Sequence, residues 1–152
     1  NQMYEDMKDY KPLFDIKYDE KKKMDLTFDN SKINFKLGSL SPKQVNALLN
    51  AIPYEISFIN EDDINTYYNE GEKAFKRPSA SIGRSVYDCH PHDKVNTVKK
   101  IISELKAGTK EEFSFQMKKN GVAYLVKYIA VKENEEYVGT LELVLPLEDI
   151  RI

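Results

Sequence analysis

The sequence predicts an α+β domain: a five-stranded antiparallel sheet with helices gathered on one face, preceded by an N-terminal arm, a hairpin and a leading helix. Three observations carry this. Two alternating apolar segments precede a helical region and three longer ones follow it, so strands and helices are segregated rather than interleaved. The junctions between strands carry turn residues of the antiparallel kind, above all Asn120-Gly121. Between the two groups, the stretch from Pro91 to Leu105 places Val95, Val98, Ile101, Ile102 and Leu105 on one helical face.

Residues 1–24 are rich in Lys, Asp, Glu and Tyr without a sustained period, and Pro12 breaks the loose helical spacing of Met3, Met7, Tyr10 and Phe14. They read as an arm, with Lys21-Lys22-Lys23 as solvated surface. Leu26 and Phe28, then Ile33, Phe35 and Leu37, alternate on either side of Asp29-Asn30-Ser31 and predict a small hairpin. Gly38-Ser39-Leu40-Ser41 ends that pattern. Ser41 then suits an N-cap, Pro42 the first helical position and Gln44 the third residue after the cap, so a helix with Val45, Leu48, Leu49 and Ile52 on one face runs to Pro53.

Tyr54–Ile59 alternates with Tyr54, Ile56 and Phe58 on one side, Asn60-Glu61-Asp62-Asp63 turns, and Ile64–Tyr68 returns. Asn69–Pro78 is polar and Pro78–Ile82 is loop. The longer helix, expected over 91–107, ends at Gly108, where a left-handed cap belongs, and Lys99, Lys100 and Lys106 suit its negative pole. Phe113, Phe115 and Met117 alternate in the next strand, Val122–Val131 is apolar at nearly every position, and Tyr137, Leu141, Leu143 and Leu145 share a face of the last. The expected organisation is an arm with a hairpin over 1–40 and one domain with its leading helix over 41–152.

The totals exclude several classes. A chain of 152 residues suits one domain plus an appendage, and such a domain buries roughly 70% of its unfolded surface without disulfides or structural metals. A net charge of −2 gives no reason to expect nucleic acid or an anionic membrane as partner. One cysteine cannot form an intrachain disulfide, which fits a reducing, cytoplasmic setting. No apolar run approaches the ~18 residues of a membrane-spanning helix. The chain opens Asn1-Gln2 rather than on Met, which points to a piece of a longer protein.

The order of elements, with Tyr54-Glu55-Ile56-Ser57-Phe58-Ile59-Asn60-Glu61-Asp62-Asp63, Ile82-Gly83-Arg84-Ser85 and Gly139-Thr140-Leu141-Glu142, resembles a PAS sensor domain over about Ser41–Asp149. More narrowly, Leu49-Asn50-Ala51-Ile52-Pro53, Gly83-Arg84, Cys89-His90-Pro91 and the Gly139–Leu143 run resemble the PAS-like C-terminal domain of the bacterial DUF438 family. That family usually has a second Pro where this chain has His92. The closing strand here also ends Leu145-Pro146-Leu147 rather than in the polar residues that lead to an output helix. The resemblance implies a sensory or regulatory module within a longer bacterial protein, with a small ligand or a packed core between sheet and longer helix, and a homodimer.

The chemistry concentrates in Ile82–Asp93, which holds Cys89, His90 and His92, the only cysteine and histidines of the chain. A structural zinc needs four ligands and these supply three donors, with Pro91 between the histidines. Cys89 reads as a small buried hydrophobe and His90 as a hydrogen-bonded structural residue. A second reading makes His90 an axial haem ligand, kept neutral by the positive pole of the helix that Pro91 would open. Flavin photochemistry is set aside, because Ser85-Val86 follow Gly83-Arg84 where that type carries Asn-Cys. No cofactor is named by the residues themselves.

Arg84 could hold an anionic ligand or pair with a nearby acid. Phe58, Val98, Phe115, Tyr124 and Tyr128 are the expected pocket lining, with His90, Cys89 and Arg84 as its polar members, while Ala123, Leu125, Ile129 and Val131 form the other face of their strand. No phosphate loop, paired-carboxylate motif or nucleophile elbow is present, so the chain reads as no enzyme. Two functions remain: a regulatory domain binding a small ligand behind the 91–107 helix, or a dimerisation or docking module with a filled core.

Overall fold

In the computed structural model, which describes residues 31–71, 77–90 and 92–150, the chain enters through a small hairpin. Strand β1 (Ile33–Phe35) pairs antiparallel with β2 (Gly38–Leu40), Ile33 opposite Leu40 and Phe35 opposite Gly38. The second strand is thus the stretch expected to end the pattern. Gly38, at φ +110°, takes a backbone conformation open to glycine, so the chain reverses at Lys36-Leu37. The expected first strand around Leu26 and Phe28 lies outside the described residues.

Helix α1 (Pro42–Ala51) starts as its sequence dictates. Gln44 N–H donates to Ser41 Oγ at 3.1 Å and Ser41 N–H donates to Gln44 Oε1 at 2.9 Å, a reciprocal capping box with Pro42 in the first turn. Its end is tied to the segment after the second strand of the main sheet: Glu70 N–H donates to Asn50 Oδ1 at 2.8 Å, and Asn69 Nδ2 donates to Leu49 O at 3.2 Å.

The main sheet contains β3 (Glu55–Asn60), β4 (Asn65–Tyr68), β5 (Glu112–Lys119), β6 (Val122–Glu133) and β7 (Glu136–Pro146) in the order β4-β3-β7-β6-β5, every neighbour antiparallel. The first and last strands in sequence pair at its centre, and the two segments on either side of the helices close one layer. At Asn120-Gly121 both residues are left-handed, φ +52° and +79°, the geometry that joins two strands with a two-residue turn. Asn134 and Glu135 repeat it at φ +51° and +70° without a glycine.

One long helix, α2 (Val95–Ala107), covers one face of the sheet. It starts later than expected. His92–Lys94 form a separate 3₁₀ turn, and α2 begins behind Lys94, whose side chain supplies no cap. Its end is as expected: Gly108 at φ +78° closes the last turn onto Glu104 and Leu105 carbonyls. Val98, Ile101, Ile102 and Leu105 pack in one cluster with Ile59, Met117, Val126, Tyr128 and Val144 from four strands.

That cluster fixes the inner face of the sheet. It is made of Glu55, Ser57 and Ile59, then Thr140, Glu142 and Val144, then Tyr124, Val126, Tyr128 and Ala130, then Phe113, Phe115 and Met117. Strand β3 is therefore turned opposite to its apolar alternation: Ile56 and Phe58 pair with Leu143 and Leu141 on the outer face, and Glu55 and Ser57 face α2, buried. Among the described residues no helix is long and apolar enough to cross a membrane.

Candidate functional site

The register draws a polar row across the inner face. Ser57 stands opposite Glu142, Glu142 opposite Tyr128, and Tyr128 opposite Phe113, with Tyr68 opposite Ser57 at the β4 edge. Directly opposed side chains of this kind have Cβ atoms about 5 Å apart, so the Glu142 side chain leaves the sheet between those of Ser57 and Tyr128. In the rows on either side, Val144, Val126 and Thr140 are buried and Ala130 is partly buried, and three of these four are apolar. Across from them α2 offers Val98, Ile101, Ile102 and Leu105, none of them polar.

Among the described residues, no hydrogen bond or ion pair reaches Glu142. It is half-buried, yet protein surrounds its carboxyl closely enough that burial alone pushes its pKa up to about 8. The linkage follows from the sign: the folded protein holds a proton that the unfolded chain has released above 4.5, so stability falls as pH rises from there through about 8. Water reaching the half-buried carboxyl limits this to about 2–4 kcal/mol. Glu142→Gln is expected to flatten this slope in thermal melts between pH 4.5 and 8. An unchanged slope would show that Glu142 is ionised throughout.

Beside the row stands a second polar group. Arg77 donates through Nη1 to Ile56 O at 2.8 Å and Ser57 Oγ at 3.4 Å, and through Nη2 to Asn69 O at 2.8 Å. Its Nε lies 3.8 Å from Glu55 Oε1, and its guanidinium stacks 5.1 Å from the Tyr68 ring centre. Burial lowers the Arg77 pKa, partly offset by Glu55. Asn69 itself takes Ile56 N–H on its Oδ1 at 2.9 Å, and the Tyr68 hydroxyl bonds Ser81 Oγ. These contacts seal the β4 side of the face.

The segment leading into α2 is anchored from the opposite side. Tyr87 Oη donates to Asp63 Oδ2 at 2.9 Å, Val86 N–H donates to Asp63 O at 2.8 Å, and Lys106 Nζ lies 2.8 Å from Asp63 Oδ1. Asp63 thus ties the β3–β4 turn to this segment and to the end of α2. His90 follows, 4% exposed, with Nδ1 2.8 Å from Val86 O. Burial lowers its pKa, so the ring is neutral, Nδ1 carries the proton and Nε2 is an acceptor in the interior with no partner among the described residues. His90 is neutral because it is buried. It ends a 3₁₀ turn, Val86–Cys89, and does not stand at the start of α2.

The structure brings together Val98, Phe115, Tyr124 and Tyr128, with the Phe115 and Tyr128 rings 6.2 Å apart. Phe58 is not among them, since its ring lies on the outer face over Gly139. Arg84 points to the surface, 3.6 Å from Asp88 Oδ2. His92 is exposed, and the Cys89 side chain and Pro91 lie outside the described residues. No three His, Cys, Asp or Glu side chains converge among the described residues. The polar members that sequence reasoning missed are Ser57, Glu142, Glu55 and Arg77. Glu142 does stand inside the Gly139-Thr140-Leu141-Glu142 motif, but only the register shows which way it faces.

Comparison with known proteins identifies the family to which this fold belongs. A family model described as PAS domain matches residues 45–148. The C-terminal domain of a Streptococcus mutans protein superposes with a TM-score of 0.74 at 33% identity, covering 79% of this chain and 95% of that one. A sensory box sensor histidine kinase from Vibrio cholerae gives 0.49 at 10% identity, over 68% of this chain and 89% of that one. VqmA of the same organism, in complex with ligand and DNA, gives 0.51 at 16% identity, over 74% and 54%. No curated protein matches. The family match spans the sheet, α2 and most of α1, and the S. mutans likeness covers the same fold at appreciable identity: the chain belongs to the PAS domain family.

Proposed function

We propose that this chain is a non-catalytic sensory PAS module that holds a small ligand between its sheet and α2. The observation that carries this is the row Ser57–Glu142–Tyr128 on the inner face, where a carboxyl without a partner among the described residues faces an apolar helix. A packed core has no use for such a group, which costs free energy wherever it is desolvated and unpaired. A ligand that completes it would turn that cost into affinity and couple binding to the seating of α2. The sensing unit is the domain over 41–152, acting as a homodimer within a longer cytoplasmic protein, and Val98, Phe115, Tyr124, Tyr128 and His90 join the row as its lining.

The other reading is a docking or dimerisation module with a filled core. The complete burial of Val98, Leu105, Val126 and Tyr128, each 0% exposed, favours it. Native and denaturing mass spectrometry of the protein as purified, together with its absorption spectrum, separates the two. The ligand reading expects a small molecule retained in the native mass, released on denaturation and absent from Glu142→Leu. A ligand-free dimer in both proteins would establish the filled core instead. A Soret band lost in His90→Ala would identify the retained molecule as haem.

A further inference from the structure

Among the described residues, the inner face is short of cations. From β3 the inner face carries Glu55, and from β6 Tyr124 and Tyr128. β4 adds Tyr68, and the segment before α2 adds Tyr87 and neutral His90. The inner residues of α2, Val98, Ile101, Ile102 and Leu105, bear no charge. Arg77 is committed to Glu55, two carbonyls and Asn69. Lys119 shares the face by register but stands six residues along β5 from Phe113, roughly 20 Å away. The balance is acidic: Tyr124 feels both Glu55 and Glu148, which raise its pKa after burial does.

The unpaired groups ask for donors. His90 Nε2 can only accept, because Nδ1 holds the proton that goes to Val86 O. Glu142 accepts on both oxygens once ionised. Beside Glu142 in its row stand Tyr128 and, beyond it, Phe113, with Phe115 and Tyr124 further along the same face. We infer that the ligand of this site is a cationic amine with an apolar or aromatic body, its ammonium held by the Glu142 carboxylate against these rings. The inference rests on the ligand-binding reading above and names the class of ligand.

An ammonium brings three donors and no acceptor, and aromatic faces attract it by a further ~1–2 kcal/mol when desolvated. An anion would meet Glu55 and Glu142. A neutral acceptor could take one hydrogen bond from the protonated acid but would leave the other carboxyl oxygen without a donor. The proton balance is explicit. The free site holds Glu142 as the acid, and binding of R–NH₃⁺ breaks its O–H bond and forms the ammonium–carboxylate pair. The proton goes to solvent. Because the free carboxyl titrates near 8, amine affinity rises about tenfold per pH unit below that value and levels off above it.

The test is isothermal titration calorimetry of the full chain with 2-phenylethylamine, 2-phenylethanol and phenylacetate, in two buffers of different ionisation enthalpy. The expected result is binding of the amine alone, with release of nearly one proton at pH 7 and an affinity about tenfold weaker at pH 6. Glu142→Gln, checked for folding by its melting curve, loses at least tenfold in affinity together with the proton release. Equal binding of the alcohol or the acid, amine binding without proton release, or an unaffected Glu142→Gln each overturns the inference. So does the absence of amine binding at millimolar concentration. If the protein as purified retains a neutral or anionic molecule, the amine assignment falls and the ligand-binding reading stands. If it retains nothing and none of the three probes binds, both fall.

Discussion

Gly139→Ala is expected to lower the melting temperature by roughly 10 °C, the cost of about 2–3 kcal/mol that follows from overpacking a closed sheet. Gly139 is buried on the outer face of β7 opposite Asn60, and the Phe58 ring lies directly over it. A Cβ there would meet Phe58 Cζ, sit 2.7 Å from Phe58 Cε1 and, more seriously, 2.5 Å from Ile59 O. The ring could swing away, but the carbonyl is part of the central strand pair and cannot move without parting β3 from β7. The glycine thus serves close packing, with no need for an unusual φ. Phe58→Ala combined with Gly139→Ala should recover only part of the loss. A shift below about 2 °C for the single change would show that the strands yield freely.

Arg77→Met should be more damaging still, about 3–5 kcal/mol, because it takes the guanidinium away from a buried carboxylate. Glu55 is 5% exposed and has the Arg77 guanidinium beside it, and the same guanidinium satisfies the Ile56 and Asn69 carbonyls. Removing the cation leaves all three without it at the edge of the candidate site. The pair also explains why two polar residues of β3 can face α2. Chemical denaturation of Arg77→Met, Glu55→Gln and the double variant is the measurement. A coupling above about 1 kcal/mol is expected, since residues in one network do not act additively. Simple additivity would mean that Arg77 acts through its carbonyl contacts alone.

Much of the architecture was legible because local chemistry specifies it. Asn120-Gly121 tolerates two left-handed residues, Gly108 caps α2, and Ser41 with Gln44 closes a capping box, each requiring only neighbours in sequence. The start of α2 was not legible. Pro91 fits a first helical position, yet α2 begins at Val95 after a separate 3₁₀ turn, while the preceding segment is tied by Tyr87 and Val86 to Asp63, more than twenty residues away. Strand β2 was missed for a similar reason: a glycine at its start reads locally as a break, whereas here its positive φ makes the reversal.

The candidate site was the least legible part, and β3 shows why. Period-two alternation reveals that a strand has two faces but does not say which one meets the helix. Here both faces are covered: Ile56 and Leu145 are buried on one side, Ile59 and Val144 on the other. With apolar residues on both faces, choosing the inner one by hydrophobicity put Phe58 into the site and left out Ser57 and Glu142. His90 was a candidate from its neighbours in sequence, but its tautomer, with Nε2 left as the acceptor, follows from the Val86 carbonyl that the fold turns towards Nδ1.

By itself the sequence determined the elements, their turns and caps, their antiparallel order and the PAS family to which they belong, because each depends on short-range backbone preference or on a contiguous motif. Only the tertiary structure decided that Ser57, Glu142 and Tyr128 form one row beneath α2, with Arg77 sealing its edge. These groups come from separate strands and a loop, and are joined by a register that no local preference encodes. The lone carboxyl in that row acquires its chemistry only when α2 and the aromatic strands remove it from water.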